Sequence, residues 1–490
     1  MVATGTARRL CVLLALPLAV LTLLALAAPA PARKSHPLVT AIDPDGPYTG
    51  ADATLTSQRV RAAGARRIRL LLNWRNAAPD TPPPGFDAAN PGDPSYDWSD
   101  FDAELLPAAA AGLDAIVVIR SAPDWAEGAG AGRPGTIRPD PGQFARFGYA
   151  AATRYSGRFA GLPRVRFWQV WNEPNHFGFL NPQNEGGALA SVGQYAAMLN
   201  AFSDAVHAVD PANVVIAGAL APFQNPDPTV TPPLSFMSQL LCVSATAHPR
   251  ATCNTQLHFD VWSHHPYTSG SPTHHATAPG DVSIPELRHM NSMLRAAVRA
   301  GHVRSRAGVS FWVTEFAWDT NPPDPGAVPL SLHARWVSEA LYRIWKAGVS
   351  LVTWYKLRDD AALGRPNSAA FQCGLYFRCP GGLACDQPKP ALRAFRFPFV
   401  AFRSGRHVYV WGRTPSGERV RVIVEQRFQK GRQGRWRRVA RLRADRYGIF
   451  SRRWRTSRRG RLRAVLRGGR DFSAAFSLKR PPDRPVNPFG

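Results

Sequence analysis

The sequence is poor in acidic residues. Its 490 residues carry 34 Asp and Glu against 60 Lys and Arg, a formal charge of +26. A surplus of that size invites a nucleic-acid partner, but it is not spread along the chain. Residues 401–490 hold 26 basic and 5 acidic residues, whereas residues 33–400 hold 32 and 29. The chain is therefore a nearly neutral body with a strongly basic end. No RNA- or DNA-binding motif accompanies the charge, so no nucleic-acid partner is expected. Cysteine is scarce: six residues, none with zinc-finger spacing. Cys242 and Cys253 flank a polar segment and can close a short loop. Cys373, Cys379 and Cys385 share a Gly/Pro-rich stretch. Without Cys11 the count is odd, which leaves one thiol free or paired elsewhere. Long apolar runs are missing except for Leu10–Ala28, which follows Arg8 and Arg9 and precedes Ala30-Pro31-Ala32. That is the pattern of a signal peptide over residues 1–32. It predicts a secreted or envelope-associated protein with no membrane span in the mature chain, in a compartment that favours disulfides. The 45% apolar content rules out wholesale disorder.

What is present is a series of short apolar runs: Val39–Ile42, Arg67–Asn73, Ala115–Ile119, Val165–Trp171, Val214–Ala217, Phe259–Ser263, Val309–Thr314 and Ser350–Trp354. Helical patterns lie between them at Thr56–Ala63, Trp98–Ala111, Pro141–Tyr155, Val192–Val209, Ile284–Ala300 and Leu332–Lys346. Asp210-Pro211 and Gly301 stop two of these helices. Strands alternating with helices predict a parallel sheet, and eight units predict a closed (β/α)8 TIM barrel over residues 33–397. An open doubly wound sheet would want a Gly-rich phosphate loop after the first strand. Asp43-Pro44-Asp45-Gly46-Pro47 is not one. Beyond residue 398 the runs become short and alternating, as in Val408-Tyr409-Val410-Trp411 and Arg419–Val424. Turns are signalled at Thr414-Pro415-Ser416-Gly417 and Lys430-Gly431. A small, basic, sandwich-like all-β domain is expected over residues 398–480, with a loose tail over 481–490.

Two strand ends carry glutamate. The fourth run leads into Trp171-Asn172-Glu173-Pro174-Asn175, where Pro174 blocks further strand, and the seventh into Val313-Thr314-Glu315. In a barrel both sit at the C-terminal rim, where active sites form, and can face one cleft. A carboxylate pair of that kind suits glycoside hydrolysis. Trp168, Trp171, Trp312, Trp318 and Trp354 lie nearby, placed either to stack on sugar faces or to fill the core. The long segments Asn76–Tyr96, Gly178–Gly187, Gln224–Pro233 and Thr268–Gly280 follow strand ends and should shape the cleft.

These motifs resemble those of the clan A glycoside hydrolases, especially families 39 and 5, over about residues 38–397. The resemblance implies a retaining enzyme acting on a carbohydrate, without metal or other cofactor. Glu173 would be the acid/base, Glu315 the nucleophile, and Asn172 the partner of the sugar 2-hydroxyl. Arg69 would support the nucleophile beside His265 and Tyr267, and Trp354 would be the platform under the reacting sugar. Lys389-Pro390-Ala391-Leu392 is similar to a segment that closes such barrels. Arg120-Ser121 departs from the family 5 pattern, which often has His at that strand end, and so bears on the substrate. His264 and His265 are adjacent, and the sequence does not say which faces the site. A zinc site from these and His274 and His275 lacks a further ligand at suitable spacing. Loss of catalysis on the same scaffold would leave a non-catalytic carbohydrate- or envelope-binding protein. The basic end has period-two Arg, as in Arg419-Val420-Arg421-Val422. This is either a solvated strand face or a surface for an acidic cell-envelope polymer.

Overall fold

Eight parallel strands close into a barrel in the computed structural model, which describes Met1 and residues 35–46, 48–223, 230–361, 371–427, 434–469 and 471–487. The expected leader with Cys11, the turn at Lys430-Gly431 and most of Gln224–Pro233 lie outside the described residues. The barrel strands are β1 (Val39–Asp43), β2 (Arg67–Asn73), β3 (Asp114–Arg120), β4 (Phe167–Val170), β5 (Val214–Leu220), β6 (Val261–His264), β7 (Ser310–Val313) and β8 (Leu351–Tyr355). Each pairs with its neighbours in chain order, and β8 returns to β1. The intervening helices are α1 (Gly50–Ala62), α2 (Ser99–Ala110), α3 (Pro141–Arg154), α4 (Ala190–Val209), α5 (Pro233–Leu240), α6 (Leu287–Arg299) and α7 (Leu330–Lys346). The helix α8 (Pro390–Arg396) follows β8. Their starts follow local chemistry: Pro141 opens α3 while the Asp140 carboxylate caps the Gln143 N–H at 2.7 Å. Among the described residues no helix is long and apolar enough to cross a membrane.

Strand periodicity decides what lies inside. Ala41, Ile116, Phe167, Ile216, Val261, Trp312 and Leu351, one from each of seven strands, form a separate buried cluster that fills the barrel floor. The Phe167 and Trp312 rings are 5.7 Å apart, and the Arg67 guanidinium lies 3.7 Å over Phe167. Because side chains alternate, residues two and four further along point into the barrel at higher levels. They include Asp43, Arg69, Val118, Arg120, Gln169, Thr353 and Tyr355. Gly218 interrupts β5 with a bulge (φ 87°), and a Cβ there would lie 2.5 Å from the Ser263 carbonyl. The bulge brings Leu220 opposite His264 and sets where β5 and β6 end.

The C-terminal strands are antiparallel. β9 (Phe399–Ser404), β10 (His407–Arg413) and β13 (Ile449–Arg455) make one sheet. β11 (Arg421–Arg427), β12 (Arg437–Arg443), β14 (Arg461–Leu466) and β15 (Phe476–Ser477) make the other. Val422, Val424, Leu462 and Phe476 are buried, while Arg421, Arg441 and Arg443 are exposed. These sheets belong to the same compact unit as the barrel. Trp411 packs on Tyr342 and Trp345 of α7, each 5.4 Å away between ring centroids. In the final segment Asp483 pairs with His274 at 2.8 Å, and the Val486 N–H donates to the Ser269 carbonyl. Disulfides join Cys242 to Cys253 and Cys379 to Cys385, and Cys373 is a buried free thiol.

Candidate active site

Arg69 is the hub of the barrel mouth. From an inward position on β2 its Nη1 donates to Asp43 and, at 3.2 Å, to Glu315 Oε2. Its Nη2 donates to Asn172 Oδ1 at 2.8 Å and its Nε to Gln169 Oε1 at 3.3 Å. Burial works against the charge on Arg69, but Asp43 and Glu315 outweigh it, so its pKa lies above the ordinary value. Burial pushes the Asp43 carboxyl up to about 6 despite that guanidinium. Tyr267 donates its hydroxyl to Glu315 Oε1 at 2.7 Å. Burial, then the Glu315 charge, raise the Tyr267 pKa well above 10, so the phenol keeps its proton and stays a donor. Both Glu315 oxygens are thus held by donors, which fixes the carboxylate in place.

Glu173 is placed by an irregular backbone. Trp171 (φ 63°) and Glu173 (φ 42°) both adopt the left-handed region on either side of Asn172. Conformations of this kind cost of order 1–3 kcal/mol each and persist only where their surroundings impose them. Here the Glu173 N–H donates to the Ala219 carbonyl at 3.0 Å. Buried Asn175 ties the loop to Ala221 and Thr231 through three hydrogen bonds. His265 Nδ1 lies 2.9 Å from Glu173 Oε1 and 3.9 Å from Glu315 Oε2. One oxygen of each glutamate and a His265 nitrogen lie within 4.8 Å of one another. These three could in principle ligate a cation. The Arg69 guanidinium on Glu315, however, opposes a second positive charge there.

The two glutamates open on a cavity of about 690 Å³ that also presents Arg69, Asn172 and Tyr267. Its aromatic walls are Tyr355, Phe371, Phe179, Phe223 and Phe101, and Leu71 is 38% exposed into it. None of the five tryptophans near the motifs lines it. Trp168, Trp171, Trp318 and Trp354 are at most 1% exposed, and Trp312 belongs to the barrel floor. Trp354 is therefore not the sugar platform. With Leu351 facing the interior, alternation sends Thr353 and Tyr355 inward and Trp354 outward. There Trp354 packs on Phe316 and His333 and donates to the Cys373 carbonyl. Tyr355 takes the wall position, edge-on to Phe371 at 5.4 Å. We expect Tyr355→Ala to lower kcat/KM about tenfold, the worth of one aromatic contact, with little change in Tm. Trp354→Ala should instead cost about 3–5 kcal/mol of stability. Kinetics and thermal melts on both variants check this, and the reverse pattern would return the platform to Trp354.

Of the residues singled out in sequence, the structure brings Glu173, Glu315, Arg69, Asn172, His265 and Tyr267 together and leaves Trp354 outside. His265, not His264, meets the glutamates. His264 is turned away, with Nε2 on the Val282 carbonyl, and burial lowers its pKa to about 3. His274 and His275 pair with Asp483 and Glu286 and do not join it. Asp43, Gln169 and Tyr355 were missed. Their signal was inward parity, counted from the apolar residue at the barrel floor of each strand.

Glu104 of α2 also lines the cavity and accepts the Tyr48 N–H at 2.9 Å. Burial pushes its carboxyl up to about 7. Its pKa is higher folded than unfolded. The stability it contributes is therefore full below about pH 4.3 and lost as pH rises through 7, roughly 3 kcal/mol in all. Relative to Glu104→Gln, the wild type should be more stable at pH 4.5 than at pH 8. Paired melts read this as a Tm difference that shifts towards the variant with rising pH. A difference constant with pH contradicts the assignment.

No protein-family model matches the chain, and no curated protein matches it by sequence. Solved structures do match in fold. A family 39 glycoside hydrolase from the gut symbiont Bacteroides cellulosilyticus WH2 is 16% identical, with 86% of this chain and 79% of that chain covered and a TM-score of 0.51. A glucosidase from Croceicoccus marinus is 14% identical over 86% and 93% of the two chains, with a TM-score of 0.46. A family 30 endoxylanase from Clostridium papyrosolvens C71 is 13% identical over 86% and 95%, with a TM-score of 0.45. At 16% identity the likeness to the first of these bears on the fold alone, a (β/α)8 barrel. What the site does rests on its own geometry.

Proposed function

We propose that the chain is a secreted, retaining glycoside hydrolase that cleaves β-O-glycosidic bonds of an oligo- or polysaccharide by double displacement. The observation that carries this is the carboxylate pair. Glu173 and Glu315 have oxygens within 4.8 Å of each other across one cavity. A nearest-oxygen approach this short suits the close pair of a retaining enzyme, whose carboxyl groups lie about 5–5.5 Å apart, better than an inverting pair at about 6.5–9.5 Å with a water between. Glu315, fixed by Arg69 and Tyr267, attacks the anomeric carbon. The bond to the leaving oxygen breaks as Glu173 gives that oxygen its proton. Water then attacks the glycosyl ester, Glu173 takes the water proton, and Glu315 is released. Asn172 accepts from Arg69 through its carbonyl, which leaves its amide N–H groups for a sugar hydroxyl. A panel of aryl β-glycosides and β-glucans tests the reading. Hydrolysis of at least one, lost in Glu173→Ala, supports it; a wholly inert panel favours a non-catalytic carbohydrate-binding protein.

Secretion rests on the leader pattern in residues 1–32. The basic antiparallel strands suit an acidic envelope polymer. Arg421 lies opposite Arg443, both exposed. Like charges facing across strands disfavour each other unless an anion lies between. Binding to an immobilised polyuronate that weakens with salt would support this contact.

A further inference from the structure

Two guanidiniums line the cavity, and only one of them is neutralised. Arg69 shares Asp43 and Glu315. Arg120 has no carboxylate within 4.0 Å among the described residues. Its Nη1 donates to Ser121 Oγ at 3.1 Å, and its guanidinium lies 5.6 Å from the centre of the Phe179 ring. The nearby acids are otherwise engaged: Asp45 pairs with Lys356, and Glu104 accepts from the Tyr48 N–H. Asp97 accepts from the Ser99 N–H, at the exposed mouth. The direction of Arg120 is built into β3. Ile116 belongs to the barrel floor, so Val118 and Arg120 point the same way at higher levels. Ser121 (φ 66°) then ends the strand, with its carbonyl held by the Arg75 N–H at 2.8 Å. Burial, then the nearby charge of Arg69, lower the pKa of Arg120, and the more distant carboxylates of Asp45 and Glu315 offset this only in part. A guanidinium kept uncompensated in a cavity gains most from an anionic ligand with two coplanar oxygens.

We propose that Arg120 binds the carboxylate of a hexuronic acid residue seated beside the catalytic pair, so that the substrate is an acidic glycan. This rests on the glycosidase reading above and adds the substrate class to it. The place also fits the residue. β3 ends between Asn73 of β2 and the β4 turn that carries Asn172 and Glu173, one strand from the reacting bond.

The test compares matched ligands on the full chain. Uronic-acid oligosaccharides and aryl uronides are paired with the same compounds reduced at the carboxyl to the primary alcohol. Turnover is measured for wild type, Arg120→Gln and Arg120→Lys, and equilibrium binding of the same pairs is measured in a Glu315→Gln background. The wild type should prefer the acidic member, and Arg120→Gln should cut that preference about 10- to 100-fold, the worth of a charge-assisted contact. Arg120→Lys should keep part of it. A wild type with no preference for the acidic member in turnover or binding overturns the inference, as does a preference that survives in Arg120→Gln. Neutral members cleaved faster than acidic ones would also overturn it while leaving the glycosidase reading standing. Arg120-dependent binding of acidic members with no bond cleaved would do the opposite.

Discussion

Glu315→Ala should lower turnover of any substrate by at least about 10⁴-fold, because no other group can form the glycosyl ester. The fold should survive, since Arg69 keeps Asp43 as its partner and Tyr267 is held by packing at 2% exposure. The space left is the size of a small anion and is bordered by the Arg69 guanidinium. Azide should therefore enter, attack the anomeric carbon of an activated aryl glycoside from the vacated side, and return part of the activity as a glycosyl azide of inverted configuration. Glu173→Ala should behave differently. Azide should then intercept the ester on Glu315 and give the azide of retained configuration. Product anomers separate the two roles, and unchanged hydrolysis in Glu315→Ala would contradict the assignment of the nucleophile.

The second large effect is on stability. Arg69→Met removes the one cation paired with Asp43 among the described residues, an acid 8% exposed, and takes a donor from Glu315, Asn172 and Gln169 as well. Breaking a buried pair by deleting one partner costs about 3–5 kcal/mol. The cost should depend on pH in a defined direction. Asp43 already has a raised pKa of about 6 in the folded protein, and without Arg69 it rises further. The folded variant can protonate Asp43 at low pH but must bury a bare carboxylate at high pH. Denaturant unfolding should therefore show a larger loss at pH 8 than at pH 5. A loss under about 1 kcal/mol that is equal at both pH values would mean that Arg69 is not the hub described. Turnover should fall too, since Glu315 loses the donor on Oε2.

The barrel was legible because each strand is a short apolar run, helical patterns separate the runs, and two of the long helices carry clear stop signals. Two short helices were not. Pro233–Leu240 and Pro390–Arg396 span eight and seven residues, too few for a helical period to stand out. The two glutamates of the cavity were legible because a proline or a polar break follows an apolar strand at each. The platform was misread because Trp354 and Tyr355 are adjacent aromatics, and only the parity running from Leu351 distinguishes them. Asp43 and Gln169 were invisible as site residues because their roles exist only once side chains of β1, β2 and β4 converge on Arg69 inside the barrel. The left-handed turn at Trp171 and Glu173 is likewise imposed by contacts with β5, such as the bond to Ala219, and not by local preference.

The most direct test is the anomeric configuration of the first product, read by proton NMR before mutarotation, on any β-glycoside the chain hydrolyses. Double displacement through Glu315 predicts the β-anomer first, with the α-anomer growing in later. An α-anomer at the earliest time points would mean direct displacement by water and would contradict the nucleophilic role of Glu315.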